Sequence, residues 1–112
     1  MNSNCDLSKK KCTPCKGETP PLKGEALIEL KSQLNENWQI MNEHHLQREF
    51  NFKNFQEALI FTNKLGEIAE QEGHHPDILL TYGKVRVFLW THKIDGLSES
   101  DFILAAKYDA IQ

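Results

Sequence analysis

At 112 residues with 39% hydrophobic content, the chain is sized for one small domain, since cores in this range seldom divide. Six Phe and two Trp against six Gly and four Pro exclude a disordered composition, and a formal charge of −3 gives nonspecific binding to duplex nucleic acid no electrostatic basis. No apolar run reaches the length of a membrane span or of a signal-peptide core, so a cytoplasmic chain without membrane contact is expected.

The three cysteines, Cys5, Cys12 and Cys15, all lie in the first fifteen residues. An odd number so closely spaced does not read as a secreted disulfide framework. Cys12-Thr13-Pro14-Cys15 is a CxxC, open to two chemical readings. As half a zinc site it would need Cys5 and a distant histidine to complete four ligands. As a redox pair it should follow a strand and open a helix, whereas it sits among Lys, Pro and Gly. Thiols of an inert tail are therefore expected, and no metal. Lys9, Lys10, Lys11, Lys16 and Lys23 against Asp6 and Glu18 leave +3 on residues 1–24 and −6 on the rest. Residues 1–21 read as a solvated basic extension ending at Thr19-Pro20-Pro21, and residues 22–112 as the domain.

Leu22, Ala26, Leu27, Leu30 and Leu34 fall on one helical stripe, and Asn35-Glu36-Asn37 stops it. Trp38-Gln39-Ile40 alternates. So does Leu46–Phe52, with Leu46, Arg48, Phe50 and Phe52 on one face; the two segments predict a hairpin through Asn42-Glu43-His44-His45. Asn54 with Glu57 three residues on is a helix start, Phe55, Ala58, Leu59, Thr62, Leu65, Ile68 and Ala69 form the stripe behind it, and Gly73 is the left-handed stop. A second hairpin follows: Ile78–Tyr82, a turn at Gly83, and Lys84–His92. Val85, Val87, Leu89 and Thr91 share one face of it, and Arg86, Phe88, Trp90 and His92 the other. That second face is apolar enough to need cover, for which another subunit is one candidate. Ser98 caps a last helix carrying Phe102, Ile103, Ala106 and Ala110. The order αββαββα implies an α+β, two-layer fold: a four-stranded antiparallel sheet with three helices on one face.

Histidine is the unusual count, with five residues, four of them in adjacent pairs. His44-His45 falls at a hairpin turn and reads as a solvated polar pair. His74-His75 lies between a helix C-terminus, whose partial negative charge favours imidazolium, and Pro76, which fixes the exit of the chain. Glu70, four residues before His74, is within reach of its ring. If the second hairpin turns at Gly83, His92 ends its second strand near His74 and His75, and three imidazoles share one pocket. Metal ligands are more often spaced HxxxH or HxH, so a metal is not expected there; a loop pair making local hydrogen bonds is the structural alternative. Ser98-Glu99-Ser100-Asp101 matches a capping box, and spacing leaves open whether Asp101 also reaches the histidines.

The run Glu70-x₃-His74-His75-Pro76-x₅-Tyr82-x₉-His92-x₈-Asp101 resembles the signature of the pterin-4a-carbinolamine dehydratases, and Phe50, Phe52, Phe55 and Ala58 are similar to that family's FxFxxFxxA stretch. The likeness extends over nearly all of the chain after Leu22. Two positions depart from the pattern of many animal members, Gly73 for an acid and Ile78 for an aromatic residue. The resemblance implies the same αββαββα fold and dehydration of 4a-hydroxytetrahydropterin to quinonoid dihydropterin, recycling the cofactor of aromatic amino-acid hydroxylases. It implies His74, His75 and His92 as the catalytic set, with His74 and His92 as acid and base and His75 positioning the hydroxyl. It further implies pterin contacts from Gly73, Pro76, Trp90, Thr91, Lys93 and Asp101, no cofactor, a pterin as the partner molecule, and a homo-oligomer of two or four chains. Imidazole chemistry suits the reaction, because groups with an ordinary pKa near ~6.5 can give or take a proton at working pH. Animal relatives also serve as a dimerisation cofactor for a homeodomain transcription factor, so a binding module without catalysis is the alternative.

Overall fold

Alternating strands and local turn chemistry build a four-stranded antiparallel sheet in the computed structural model, which describes residues 7–12 and 20–112. Strands β1 (Gln39–Met41), β2 (His45–Asn51), β3 (Asp77–Thr81) and β4 (Lys84–Leu89) lie in the order β1-β2-β4-β3. The two hairpins are therefore joined through their second strands, in register from Leu46 opposite Leu89 to Asn51 opposite Lys84. Side chains alternate across a strand. Leu46, Arg48 and Phe50 of β2 and Val85, Val87 and Leu89 of β4 are accordingly buried on one face, while His45, Gln47, Glu49, Arg86 and Phe88 stand on the other. The first turn places Asn42 and Glu43 both at φ +55°, closed by the His44 N–H donating to Met41 O at 2.8 Å. In the second turn Gly83 has no room for a side chain, since a Cβ would stand 2.9 Å from Phe52 O.

Three helices cover the buried face, as the order of elements predicts: α1 (Glu25–Lys31), α2 (Phe55–Glu72) and α3 (Glu99–Ala110). Both ends of α2 follow local rules. Asn54 accepts the Glu57 N–H at 2.8 Å, and Gly73 ends the helix in the left-handed region at φ +66°, where only a residue without Cβ is unstrained. The rotation of α2 differs from the predicted stripe. Ala58, Phe61, Leu65 and Ala69 face the sheet, whereas Phe55 and Leu59 are 44% and 40% exposed. Phe61 sets this rotation by packing on Phe50 and Phe52, with ring centroids at 4.7 and 5.0 Å.

Helix α3 is buried on nearly its whole circumference, from Ser100 to Ala106 and at Tyr108. One side meets α2 and α1; the other is covered by residues of the extension, where Leu7–Lys9 form a 3₁₀ turn. Leu7 is 2% exposed and joins the core. Lys107 Nζ donates to Ser8 O at 2.8 Å, the Cys12 N–H to Glu72 Oε1 at 2.8 Å, and Lys10 pairs with Glu99 at 3.0 Å. The described part of the extension is thus a brace and not a solvated tail. A single leucine among lysines carries no periodicity, so nothing local announces it; the need for cover comes from α3. Cys12 is half-buried, its Sγ 3.5 Å from Ser100 O. Burial, then the charge of Glu72, pushes its thiol up to about 12. Cys5 and Cys15, and with them the CxxC, fall outside the described residues.

Candidate active site

The left-handed turn at Gly73 separates the two histidines that follow it. The His74 N–H donates back to Ala69 O at 3.2 Å, and the His74 side chain turns inward to α3. Its Nε2 lies 2.5 Å from Asp101 Oδ1, with the two side chains 15% and 0% exposed. Asp101 Oδ2 accepts the Thr91 hydroxyl at 2.8 Å and the Ser98 N–H at 2.9 Å. The capping box of α3 is therefore formed, and the same carboxylate also holds His74, which spacing alone had left open. An ionised carboxylate only accepts hydrogen bonds, so beside Asp101 the Nε2 of His74 is the donor.

His75 points outward. Its Nε2 meets Glu70 Oε2 at 2.5 Å, with both side chains more than half exposed. Glu70 thus serves His75 and not His74, because the Gly73 turn brings the second imidazole, and not the first, back along α2. Pro76, half-buried, leads directly into β3.

His92 does not end a strand. Strand β4 stops at Leu89, the chain pinches where Thr91 pairs with Gly96, and His92–Ile94 form a 3₁₀ turn closed by Asp95 in the left-handed region. The Thr91 N–H donates to Gly96 O at 2.8 Å; this short closed loop replaces the extra strand pairs that simple alternation predicts. Thr91 is 4% exposed, while His92 and Lys93 project into solvent. The His92 ring stacks on Trp90 at a centroid distance of 4.5 Å and an interplanar angle of 29°. Of the three predicted catalytic histidines, His74 is tied through Asp101 to the Thr91 hydroxyl, His92 follows Thr91 in the chain with its ring on Trp90, and His75 stands to one side on Glu70.

Sequence reasoning passed over the first histidine pair. His44 and His45, with Asp77, Ile78, Leu79, Phe88 and Trp90, line a cavity of about 440 Å³ on the open face of the sheet. Their rings lie 5.4 and 5.9 Å from Trp90, their Nδ1 atoms are 3.0 Å apart, and His44 Nε2 donates to Asp95 Oδ1 at 2.8 Å. Burial first, and then neighbouring His44, lower the pKa of His45. The solvated-turn reading is overturned for a nonlocal reason: His45 reaches Trp90 only because β2 pairs with β4 across some forty residues of chain. It also means that part of the cover over the aromatic face of β4 comes from the chain itself. Among the described residues no group of three or more His, Cys, Asp or Glu converges to hold a metal ion, and no helix is long and apolar enough to cross a membrane.

The family model for pterin 4 alpha carbinolamine dehydratase matches residues 20–111. A protein of Alkaliphilus metalliredigens (strain QYMF) named for that dehydratase is 59% identical over 107 residues, which cover 96% of each chain. One from Rubrobacter xylanophilus, named likewise, is 54% identical over 106 residues, covering 95% of this chain and 98% of its own. Among solved structures, a transcriptional coactivator/pterin dehydratase from Brucella melitensis is similar at a TM-score of 0.75 and 33% identity, over 81% of this chain and 97% of that one. A pterin dehydratase-like protein described as a RuBisCO assembly factor in the alpha-carboxysome shares the fold, at a TM-score of 0.59 and 23% identity over 69% of this chain and 90% of that one. A match across that span, and identity of this depth over almost the full length, show that the chain belongs to the pterin-4-alpha-carbinolamine dehydratase family.

Proposed function

We propose that this chain removes water from a 4a-hydroxytetrahydropterin to give the quinonoid dihydropterin, returning the cofactor of aromatic amino-acid hydroxylases such as those that hydroxylate phenylalanine. The observation that carries this reading is the contact between His74 and the fully buried Asp101, in a chain of the dehydratase family. In the reaction a base takes the proton from the ring nitrogen, its electron pair forms the C=N bond, and the C–O bond breaks as an acid protonates the departing hydroxyl. Two proton carriers are needed and no electrons are exchanged, so His74 and His92 suffice as the pair. Asp101 holds His74 in one tautomer and orientation, as the acid of a triad does for its histidine. The Trp90 ring beneath His92 offers a flat surface beside which a planar substrate can lie, and His75, braced by Glu70, holds the hydroxyl. Gly73, Pro76 and Lys93 complete the contacts in this reading, while Thr91 and Asp101, expected to touch the pterin, are buried and act from behind the site through His74.

Stopped-flow absorbance on a 4a-hydroxytetrahydropterin tests it. The protein should dehydrate the substrate faster than buffer, and His74→Ala and His92→Ala should each lower turnover by about 10²-fold, the lower range for a lost proton transfer. Wild-type protein no faster than buffer would overturn the proposal. A homo-oligomer is part of the same reading, supported by the exposure of Phe55, Leu59 and Ile60 along α2; sedimentation equilibrium should return a mass of two or four chains.

A further inference from the structure

The closed loop Thr91–Gly96 that carries His92 is held firmly at its base. Thr91 pairs with Gly96, and Gly96 is packed so closely that a Cβ there would stand 2.6 Å from Pro21 Cβ. The far side of the loop is held differently. Asp95, at φ +50°, accepts from Nε2 of His44, which belongs to the β1–β2 turn. That turn is itself anchored, since Glu43 Oε2 accepts the Gly24 N–H at 3.2 Å. The His44 ring also leans on Trp90 at 5.4 Å with a tilt of 41°, and Trp90 is the surface on which His92 stacks. One side chain therefore touches both the loop that carries His92 and the ring beneath it. Its Nε2–H is committed to Asp95, and its Nδ1 lies 3.0 Å from Nδ1 of His45.

We infer that His44 is a positioning residue for His92: through Asp95 and Trp90 it sets the direction in which the His92 imidazole meets the substrate. The inference rests on the dehydratase reading above for its kinetic consequence, and on geometry alone for its structural one. The contact is solvent-facing, with Asp95 88% and His44 33% exposed. Its loss should therefore cost far less than loss of His92 itself, about fivefold in kcat, as suits an exposed pair. KM should stay within about twofold, because orientation and not binding is lost.

The test combines His44→Ala, His44→Gln and Asp95→Gly in the full chain. Glycine accepts a positive φ without strain, so Asp95→Gly removes the acceptor and leaves the loop intact. The His44→Gln amide can donate to Asp95 in place of Nε2 and should restore most of the lost turnover. If the contact is the route, the His44→Ala/Asp95→Gly double variant falls no further than His44→Ala alone. A second readout is independent of catalysis: the ring current of Trp90 shifts the His92 ring protons upfield in NMR spectra. That shift should shrink in His44→Ala and Asp95→Gly and return in His44→Gln. Unchanged kcat and unchanged His92 shifts in both disruptive variants would overturn the inference. A wild-type protein that fails to dehydrate the pterin would instead overturn the functional reading, and the NMR result would still decide the role of His44.

Discussion

Asp101 illustrates how much one carboxylate can do when it is fully buried. It closes the first turn of α3 on Ser98, accepts the Thr91 hydroxyl, and holds the His74 proton. Asp101→Asn keeps the size but supplies an amide N–H where a donor already points, so one partner must lose its bond. In the proposed reaction, turnover should fall by about 10²-fold while the melting temperature drops only by the few degrees that match about 1–2 kcal/mol. Stopped-flow assays and thermal unfolding on the same sample separate the two effects. Arg48 is the other instructive residue. It is 6% exposed, lies over the Phe50 ring at 4.2 Å, and pairs with Asp109, which also accepts from Asn35 N and Trp38 Nε1. Alternation predicts its inward position; the partner that makes the position tolerable is sixty residues away. Arg48→Met should destabilise by about 1–2 kcal/mol, less than a pair cut off from water, because Asp109 keeps two donors and some solvent. The urea midpoint measures it.

At the scale of elements, α2 separates local from nonlocal control. Its caps are written in neighbouring residues, Asn54 with Glu57 and Gly73 at the end, and both were legible in sequence because each satisfies backbone groups within one turn. Its rotation was not legible. Phe55, Leu59 and Phe61 are equally apolar, and only the packing of Phe61 on Phe50 and Phe52 chooses between them. Gly73→Val should cost about 1–2 kcal/mol for a bulky residue at positive φ and should also lower turnover, since the same turn aims His74. Gly73→Asn, which tolerates that region, should retain most of both. Asn54→Ala, at the opposite end, should cost about 1 kcal/mol with turnover unchanged. Melting curves and kinetics on the three variants check this.

For the whole molecule, the N-terminal brace links stability to pH. In the folded chain Cys12 keeps its proton up to about 12, raised from an ordinary 9.0 chiefly by burial. Between those values the unfolded chain has lost a proton that the folded chain holds, so stability falls as pH rises above about 9. Burial raises Tyr108 as well, its hydroxyl donating to Leu65 O at 3.0 Å, and it adds loss in the same direction at higher pH. Glu72 acts at the other end. The Cys12 N–H lowers its pKa, a contribution present above the ordinary 4.5 and lost as pH falls through the lowered value. Urea midpoints should therefore decline from pH 8 to pH 10.5, and Cys12→Ser should flatten part of that decline. With Cys5 and Cys15 replaced by serine, Cys12 should react with alkylating reagents at pH 8 far more slowly than in urea-unfolded protein.

The sequence by itself determined the order of elements, the caps and turns, the alternation of β2 and β4, and the His74-His75-Pro76 loop behind Gly73. Each of these depends on residues within a turn or two of one another, where backbone geometry and hydrogen-bond satisfaction act without help. The tertiary structure decided the rest: that β2 lies beside β4, that Leu7 and Cys12 brace α3, that His74 takes Asp101, and that His44 meets Asp95 and Trp90. Those contacts join residues 27 or more apart through packing and pairing. No local preference encodes them, because their free energy exists only once the sheet and its helix layer have closed.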